Sequence, residues 1–234
     1  MYRSIIPNAL TSSNLLFGVC SILSTIQGNL FMGSVFILAA LVADGLDGRA
    51  ARFFGVSSEM GKEMDSLCDL VSFGVAPGIL AYVFCLEAFG YIGWAVAICF
   101  ALCGMWRLAR FNVNASVVHG YFMGLAIPAG GCFVSTSTLL MQAIGFDPHS
   151  LGIIYPVIMT VVAFLMVSTV HYPDFKGKGE KIYMASKIFA AVMFAVILYL
   201  GKDAIHFSVL FGIFATYATF GIVNSVFARI FGDN

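Results

Sequence analysis

Four aspartates recur at fixed intervals inside an otherwise apolar stretch: Asp44, Asp47, Asp65 and Asp69. With the residues between them they form the pattern Asp44-x2-Asp47-Gly48-x2-Ala51-Arg52-x8-Gly61-x3-Asp65-x3-Asp69. Helical residues three or four apart share a face, so Asp44 stands with Asp47 and Asp65 with Asp69. A charge at the centre of a bilayer-spanning helix costs roughly 2.5–3.5 kcal/mol even on the mild insertion scale, so such groups normally line a polar cavity and act there. Four carboxylates brought to one point repel one another, and a pair of divalent cations relieves the repulsion. Hard oxygen ligands favour Mg²⁺ or Mn²⁺ over zinc. Two such ions about 3.5–4 Å apart suit displacement at phosphorus, because they clamp phosphate oxygens and steady the leaving group. Gly48 and Ala51 leave the helix beside the acids bare, so a ligand can approach the backbone. Arg52 offers a planar fork for phosphate, and Gly61 lets the next helix come close.

The elements that must position these residues are membrane helices. Of 234 residues, 60% are hydrophobic and only 10% charged, against about 25% charged in soluble domains. The formal net charge is zero, so bulk electrostatics give no reason to expect a nucleic-acid partner. Apolar segments long enough to span fall at about 8–26, 31–54, 62–85, 91–113, 122–144, 150–170, 184–200 and 204–227. The expected fold is therefore an all-α polytopic integral membrane bundle of about eight transmembrane helices, one membrane domain over 1–234. Turn chemistry separates the segments at 27–29, 145–148 and 172–179, and more thinly at Gly201, Lys202 and Asp203. Residues 1–145 form the expected catalytic core and 150–234 supply additional helices. Eight spans place Arg3, Arg49, Arg52, Lys62, Arg107, Arg110, Lys176, Lys178, Lys181, Lys187 and Arg229 on one side, 11 of the 12 basic residues. The positive-inside rule then puts both termini in the cytoplasm. The N-terminal segment lacks a clear small-residue cleavage site and reads as a retained span. Both acid pairs come out near cytoplasmic helix ends, joined by a short turn around residues 55–58.

The acid pattern resembles the CDP-alcohol phosphotransferase motif at every position. That family consists of integral membrane enzymes that displace CMP from a CDP-linked lipid or alcohol with a second alcohol's hydroxyl. The resemblance implies that Asp44, Asp47, Asp65 and Asp69 hold two divalent cations, Mn²⁺ or Mg²⁺. It implies that Asp69 doubles as the base for the attacking hydroxyl, and that Gly48, Ala51, Arg52 and Gly61 face the CDP-lipid. Asn8, Thr11 and Asn14 resemble the family's entry to its first span and would face the same ligand. Three further stretches look like the family's phosphatidylserine synthase branch: 61–77 with Ser66, Ser72 and Pro77, 107–112, and 121–128, where Ala126 stands in place of a frequent Pro. The branch implies CDP-diacylglycerol and L-serine as substrates, phosphatidylserine and CMP as products, a homodimer, and a prokaryotic cytoplasmic membrane with the site facing the cytoplasm.

The acceptor is less sharply marked. A zwitterion such as serine needs donors for its carboxylate and an acceptor for its ammonium. Arg107 and Arg110 share a helical face, and Ser72 and Asn112 could add hydrogen bonds. The same arginines could instead anchor lipid headgroups, or bind the phosphate of glycerol 3-phosphate or an inositol phosphate; choline is a further acceptor. A cation transporter would also use intramembrane carboxylates, but it leaves Gly48, Ala51 and Arg52 unexplained. The Lys-rich loop at 173–187 suits anionic lipid. His119, His149, His171 and His206 have no carboxylate at useful spacing, and the six cysteines read as small buried hydrophobes.

Overall fold

The structure, a computed structural model, describes residues 5–56, 58–114, 121–173 and 182–231. Arg3, His119, Lys176, Lys178 and Lys181, and most of the 173–187 loop, lie outside the described residues. The helices are α1 (Ile5–Ile26), α2 (Leu30–Phe54), α3 (Glu59–Asp69), α4 (Ala76–Phe84), α5 (Tyr91–Asn114), α6 (Ile127–Ala143), α7 (Ile154–Val167), α8 (Met184–Leu200) and α9 (Ile205–Phe231). A π-helical stretch, Leu70–Val75, joins α3 to α4, so the two make one continuous rod over Glu59–Phe84. Among the described residues eight rods result, matching the eight apolar segments. Five are long and apolar enough to cross a bilayer outright, and α6, α7 and α8 are shorter. The chain is an all-α membrane bundle.

Two helices are shorter than their hydropathy suggests. Residues 122–144 and 150–170 read as full spans, yet Tyr121–Met123 (β1) and His171–Pro173 (β2) pair antiparallel in a short ribbon. Gly124, at φ +76°, turns the chain out of β1, and Pro128 sits in the first turn of α6. The ribbon thus closes the α6–α7 hairpin at one end. Arg110 of α5 staples it, donating to the carbonyls of Met123, Met166, Val167 and Ser168 at 2.7–3.2 Å. Tyr172 is fully buried and donates to the Ala218 carbonyl at 2.9 Å, which ties β2 to α9.

Small residues bring the helices close, as they do wherever lipid removes a hydrophobic drive between helices. Ser21 of α1 donates to the Gly33 carbonyl of α2 at 2.7 Å. A Cβ on Gly18 would collide with Ser72, and one on Gly131 of α6 would stand 2.8 Å from the Phe73 carbonyl. The core runs through Ile37, Ala40, Phe73, Leu80, Phe100 and Ile127, all buried. The π-helical stretch therefore lies where α1, α5 and α6 converge, immediately after Asp69.

Candidate active site

The two acid-bearing helices meet through a capped turn. Gly55 ends α2 in the left-handed region, at φ +63°, and Val56 donates back to the Ala51 carbonyl. Only glycine adopts that conformation without strain. Ser58 caps α3, its hydroxyl accepting from the Gly61 amide at 3.0 Å. The C-terminal half of α2 and the whole of α3 are thereby laid antiparallel with their polar faces together.

Asp44, Asp47 and Asp65 each offer an oxygen lying within 4.8 Å of the others. Asp69 sits next to Asp44 and is buried like Asp47, 8% against 6% exposed. Oδ2 of Asp47 and Oδ1 of Asp65 are buried without any hydrogen-bond partner. A buried carboxylate oxygen left in that state carries its full desolvation penalty unless a cation or donor meets it. Convergent, orphaned, hard oxygen donors suit a divalent cation of the Mg²⁺ or Mn²⁺ type. The donor set thus fits a metal, and it comprises three of the four aspartates that the sequence pattern marks.

Beside the acids opens a cleft of about 500 Å³. Asn8, Thr11, Gly48, Ala51 and Gly61 line it together with Asp47 and Asp65. A Cβ on Gly48 would have only the Arg52 guanidinium near it, 3.7 Å away, so Gly48 fronts open space with Arg52 at its side. A Cβ on Gly61 would lie 3.1 Å from the Ser58 hydroxyl and 3.9 Å from Oδ1 of Asn8, which places α1 at the mouth of the cleft. Thr11 donates to the Pro7 carbonyl at 3.1 Å and stands beside Asp47.

Lys62 also lines this cleft, and the motif did not single it out. Its position three residues before Asp65 puts it on the same face, which is the signal that could have found it. Its ammonium reaches the Asn112 carbonyl at 3.5 Å, and the Asn112 amide donates to the Ser66 hydroxyl at 2.9 Å, so α5 is fastened to α3 here.

Other candidates occupy different posts. Asn14 is not among the cleft residues; it is fully buried and donates to Oδ1 of Asp69 at 2.9 Å. Ser72 gives its hydroxyl to the Asn14 carbonyl at 2.9 Å. Arg110 spends its donors on the carbonyls of Met123 in β1 and of Met166, Val167 and Ser168 at the end of α7. Arg107, by contrast, is 7% exposed, stacks its guanidinium 5.3 Å from the Phe111 ring, lies within electrostatic reach of Asp69 and keeps its Nε without a partner. Of the four acceptor-side candidates, it is the one whose charge is both buried and near the acids. His149 and His206 lie at helix ends away from this cluster.

The family model of the CDP-alcohol phosphatidyltransferases matches residues 4–167, which take in α1 to α7 and every residue of the site. The chain belongs to the CDP-alcohol phosphatidyltransferase family. Among relatives of this phosphatidyltransferase is the CDP-diacylglycerol–serine O-phosphatidyltransferase of Helicobacter pylori strain 26695, 34% identical over 225 residues, 96% of this chain and 92% of that one. The Bacillus subtilis enzyme of the same name is 37% identical over 172 residues, 73% of this chain and 91% of its own. An archaetidylserine synthase from Methanothermobacter thermautotrophicus is 38% identical over 176 residues, 74% and 72% of the two chains. As in the sequence reading, the resemblance is to the serine-using branch.

Proposed function

We propose that this phosphatidyltransferase moves the phosphatidyl group of CDP-diacylglycerol onto the hydroxyl of L-serine, giving phosphatidylserine and CMP. The observation that carries the proposal is the juxtaposition of the convergent aspartates with a cleft walled by Gly48, Ala51 and Gly61. The names of its bacterial and archaeal relatives supply the acceptor. A cation path would require the acids but would have no use for a cleft of nucleotide size beside them.

The CDP group lies in the cleft, where the missing side chains of Gly48 and Gly61 leave room and Asn8, Thr11 and Lys62 offer polar contacts. Arg52 presents its fork to phosphate at the open edge. Two divalent cations, Mn²⁺ or Mg²⁺, held by Asp44, Asp47, Asp65 and Asp69 would draw charge from the phosphate oxygens when bound. Asp69, oriented by the Asn14 amide, accepts the proton of serine's hydroxyl. That oxygen attacks the phosphorus bearing diacylglycerol, a new P–O bond forms, and the bond to CMP breaks with its electron pair leaving on CMP. Arg107 holds serine's carboxylate, a role better suited to it than to Arg110. Positioning and fixed electrostatics supply most of the acceleration, as in phosphoryl transfer generally.

The basic residues set the orientation: site and both termini face the cytoplasm of a prokaryotic cell, and the working form is a homodimer. The test is CMP release from CDP-diacylglycerol by the purified protein with Mn²⁺, offered serine, glycerol 3-phosphate, inositol phosphate or choline in turn. Release with serine alone is expected. Release with another acceptor and not serine overturns the serine assignment, while leaving the acid cluster its role.

A further inference from the structure

Among the described residues that line the cleft beside the aspartates, Lys62 alone is cationic; Arg52 stands at the open edge, next to Gly48. The Lys62 side chain is exposed. Its ammonium meets no carboxylate among the described residues, although Asp65 is only three residues on. Its one hydrogen bond is long, 3.5 Å, to the Asn112 carbonyl in the last turn of α5. The fastening of α3 to α5 does not depend on that bond. The Asn112 amide donates to the Ser66 hydroxyl at 2.9 Å, and this hydroxyl donates to the Lys62 backbone carbonyl at 3.2 Å. Both bonds stay in place when the ammonium swings on its four-carbon stem.

Charge gives the swing a destination. Four ionised aspartates and two divalent cations cancel, so the donor's pyrophosphate, with one negative charge on each phosphate, still needs two positive charges. Arg52 of α2 supplies one and Lys62 of α3 the other. Transfer then adds to the demand at one phosphate. When the P–O bond to CMP breaks, its electron pair stays on CMP, whose phosphate passes from one negative charge to two. Serine's proton goes to Asp69, and the new phosphodiester keeps a single charge. A compact ammonium on a flexible stem suits the group whose charge and position change, whereas the planar fork of Arg52 suits the standing diester. We infer that Lys62 binds the phosphate of the departing CMP, its ammonium leaving the Asn112 carbonyl to do so. This rests on the phosphatidyl-transfer reading of the same site. A cation that merely capped α5 would act on the helix terminus and be indifferent to the nucleotide's phosphate.

The test compares CMP with cytidine on the full-length protein in detergent with Mn²⁺, by thermal-shift titration. Lys62→Met is expected to weaken CMP binding about tenfold or more, as the loss of a hydrogen bond to a charged group does. Cytidine affinity should stay within a factor of about two, and Lys62→Arg should recover most of the CMP affinity. In turnover, Lys62→Met should lower kcat and raise the inhibition constant of CMP while the serine KM holds. Unchanged CMP affinity, or an equal loss for CMP and cytidine, overturns the inference. A lower Tm without ligand, together with unchanged CMP affinity, would assign the ammonium to capping α5 and overturn it too. Should Lys62→Met not fold, Lys62→Gln, which keeps a donor for the Asn112 carbonyl, takes its place. The difference between wild type and variant should persist in vesicles containing phosphatidylglycerol; its disappearance there would give the ammonium to bilayer headgroups and refute the assignment. Wild-type protein that released no CMP with any acceptor would remove the transfer reading, whereas the comparison of CMP with cytidine would still decide what Lys62 holds.

Discussion

Replacing Asn14 by leucine removes one hydrogen bond and little else. The amide donates to Oδ1 of Asp69 at 2.9 Å, and both residues are buried, Asn14 fully. The bond from Ser72 reaches Asn14's backbone carbonyl, so it survives the substitution and α1 keeps its seat on the π-helical stretch. Leucine has nearly the shape of asparagine, so no cavity opens. A hydrogen bond to a charged group contributes about 1.5–3 kcal/mol. If Asp69 is the base, its carboxylate loses the donor that fixes its orientation in the transition state, and that range converts to a fall in kcat of about tenfold to about 150-fold. CMP release at saturating serine and CDP-diacylglycerol measures it. KM for both substrates should stay within a factor of about two, because Asn14 does not line the cleft and its amide is spent on Asp69. Asn14→Gln keeps the amide one methylene out of place and should fall between. A normal kcat in Asn14→Leu would refute the orientation of Asp69 by Asn14. A loss confined to the lipid KM would return Asn14 to the ligand-contact role expected from its place in the first span.

The remaining expectations concern metal, cleft and arginines. Activity should disappear with a chelator and return with Mn²⁺ or Mg²⁺, and the ions alone should raise Tm in wild type and not in Asp65→Asn, since a bound ligand stabilises only where its site exists; turnover in a chelator would remove the cation reading. Gly48→Val should leave the fold intact, because only the end of the Arg52 side chain is near, yet abolish the thermal shift produced by CDP with metal; an unchanged shift would place the nucleotide elsewhere. Arg107→Ala should raise the serine KM above the lipid KM. Arg110→Ala should instead lower Tm with little change in serine KM, since it strips donors from up to four carbonyls, each worth about 1 kcal/mol; a selective serine KM effect in Arg110→Ala would reverse this division.

What could be read in advance was whatever a single helix dictates. Intervals of three and four residues put Asp44 with Asp47 and Asp65 with Asp69, and the bare face at Gly48 and Ala51 followed from the same geometry. Eight apolar segments gave eight rods. What could not be read depends on contacts between distant parts of the chain. Arg107 and Arg110 look alike in sequence, on one face and three residues apart. They part because the end of α7, with Met123 of β1, brings backbone carbonyls over Arg110. Asn14 meets Asp69 across 55 residues, and no local pattern encodes that pairing. The π-helical stretch after Asp69 is equally silent, although such distortions are frequent at functional sites. Within it, Ser72 donates to the Asn14 carbonyl, a contact visible only in three dimensions.

These contacts also explain how carboxylates on two helices keep one geometry. Each acid pair is rigid within its own helix, so the freedom that matters is the separation of α2 from α3 and its π-helical extension. The turn at Gly55 joins those helices at one end and cannot by itself fix the far end. α1 touches both. On one side Ser21 is bonded to Gly33 of α2 and Thr11 stands beside Asp47; on the other Asn14 is bonded to Asp69 and Gly18 is packed against Ser72. The first helix therefore acts as the spacer that sets the distance between the two acid pairs. Its small and polar residues, rather than the acids, decide whether the carboxylates converge closely enough to share cations. A substitution such as Gly18→Ala, whose new Cβ would collide with Ser72, should accordingly disturb metal affinity before it touches any ligand.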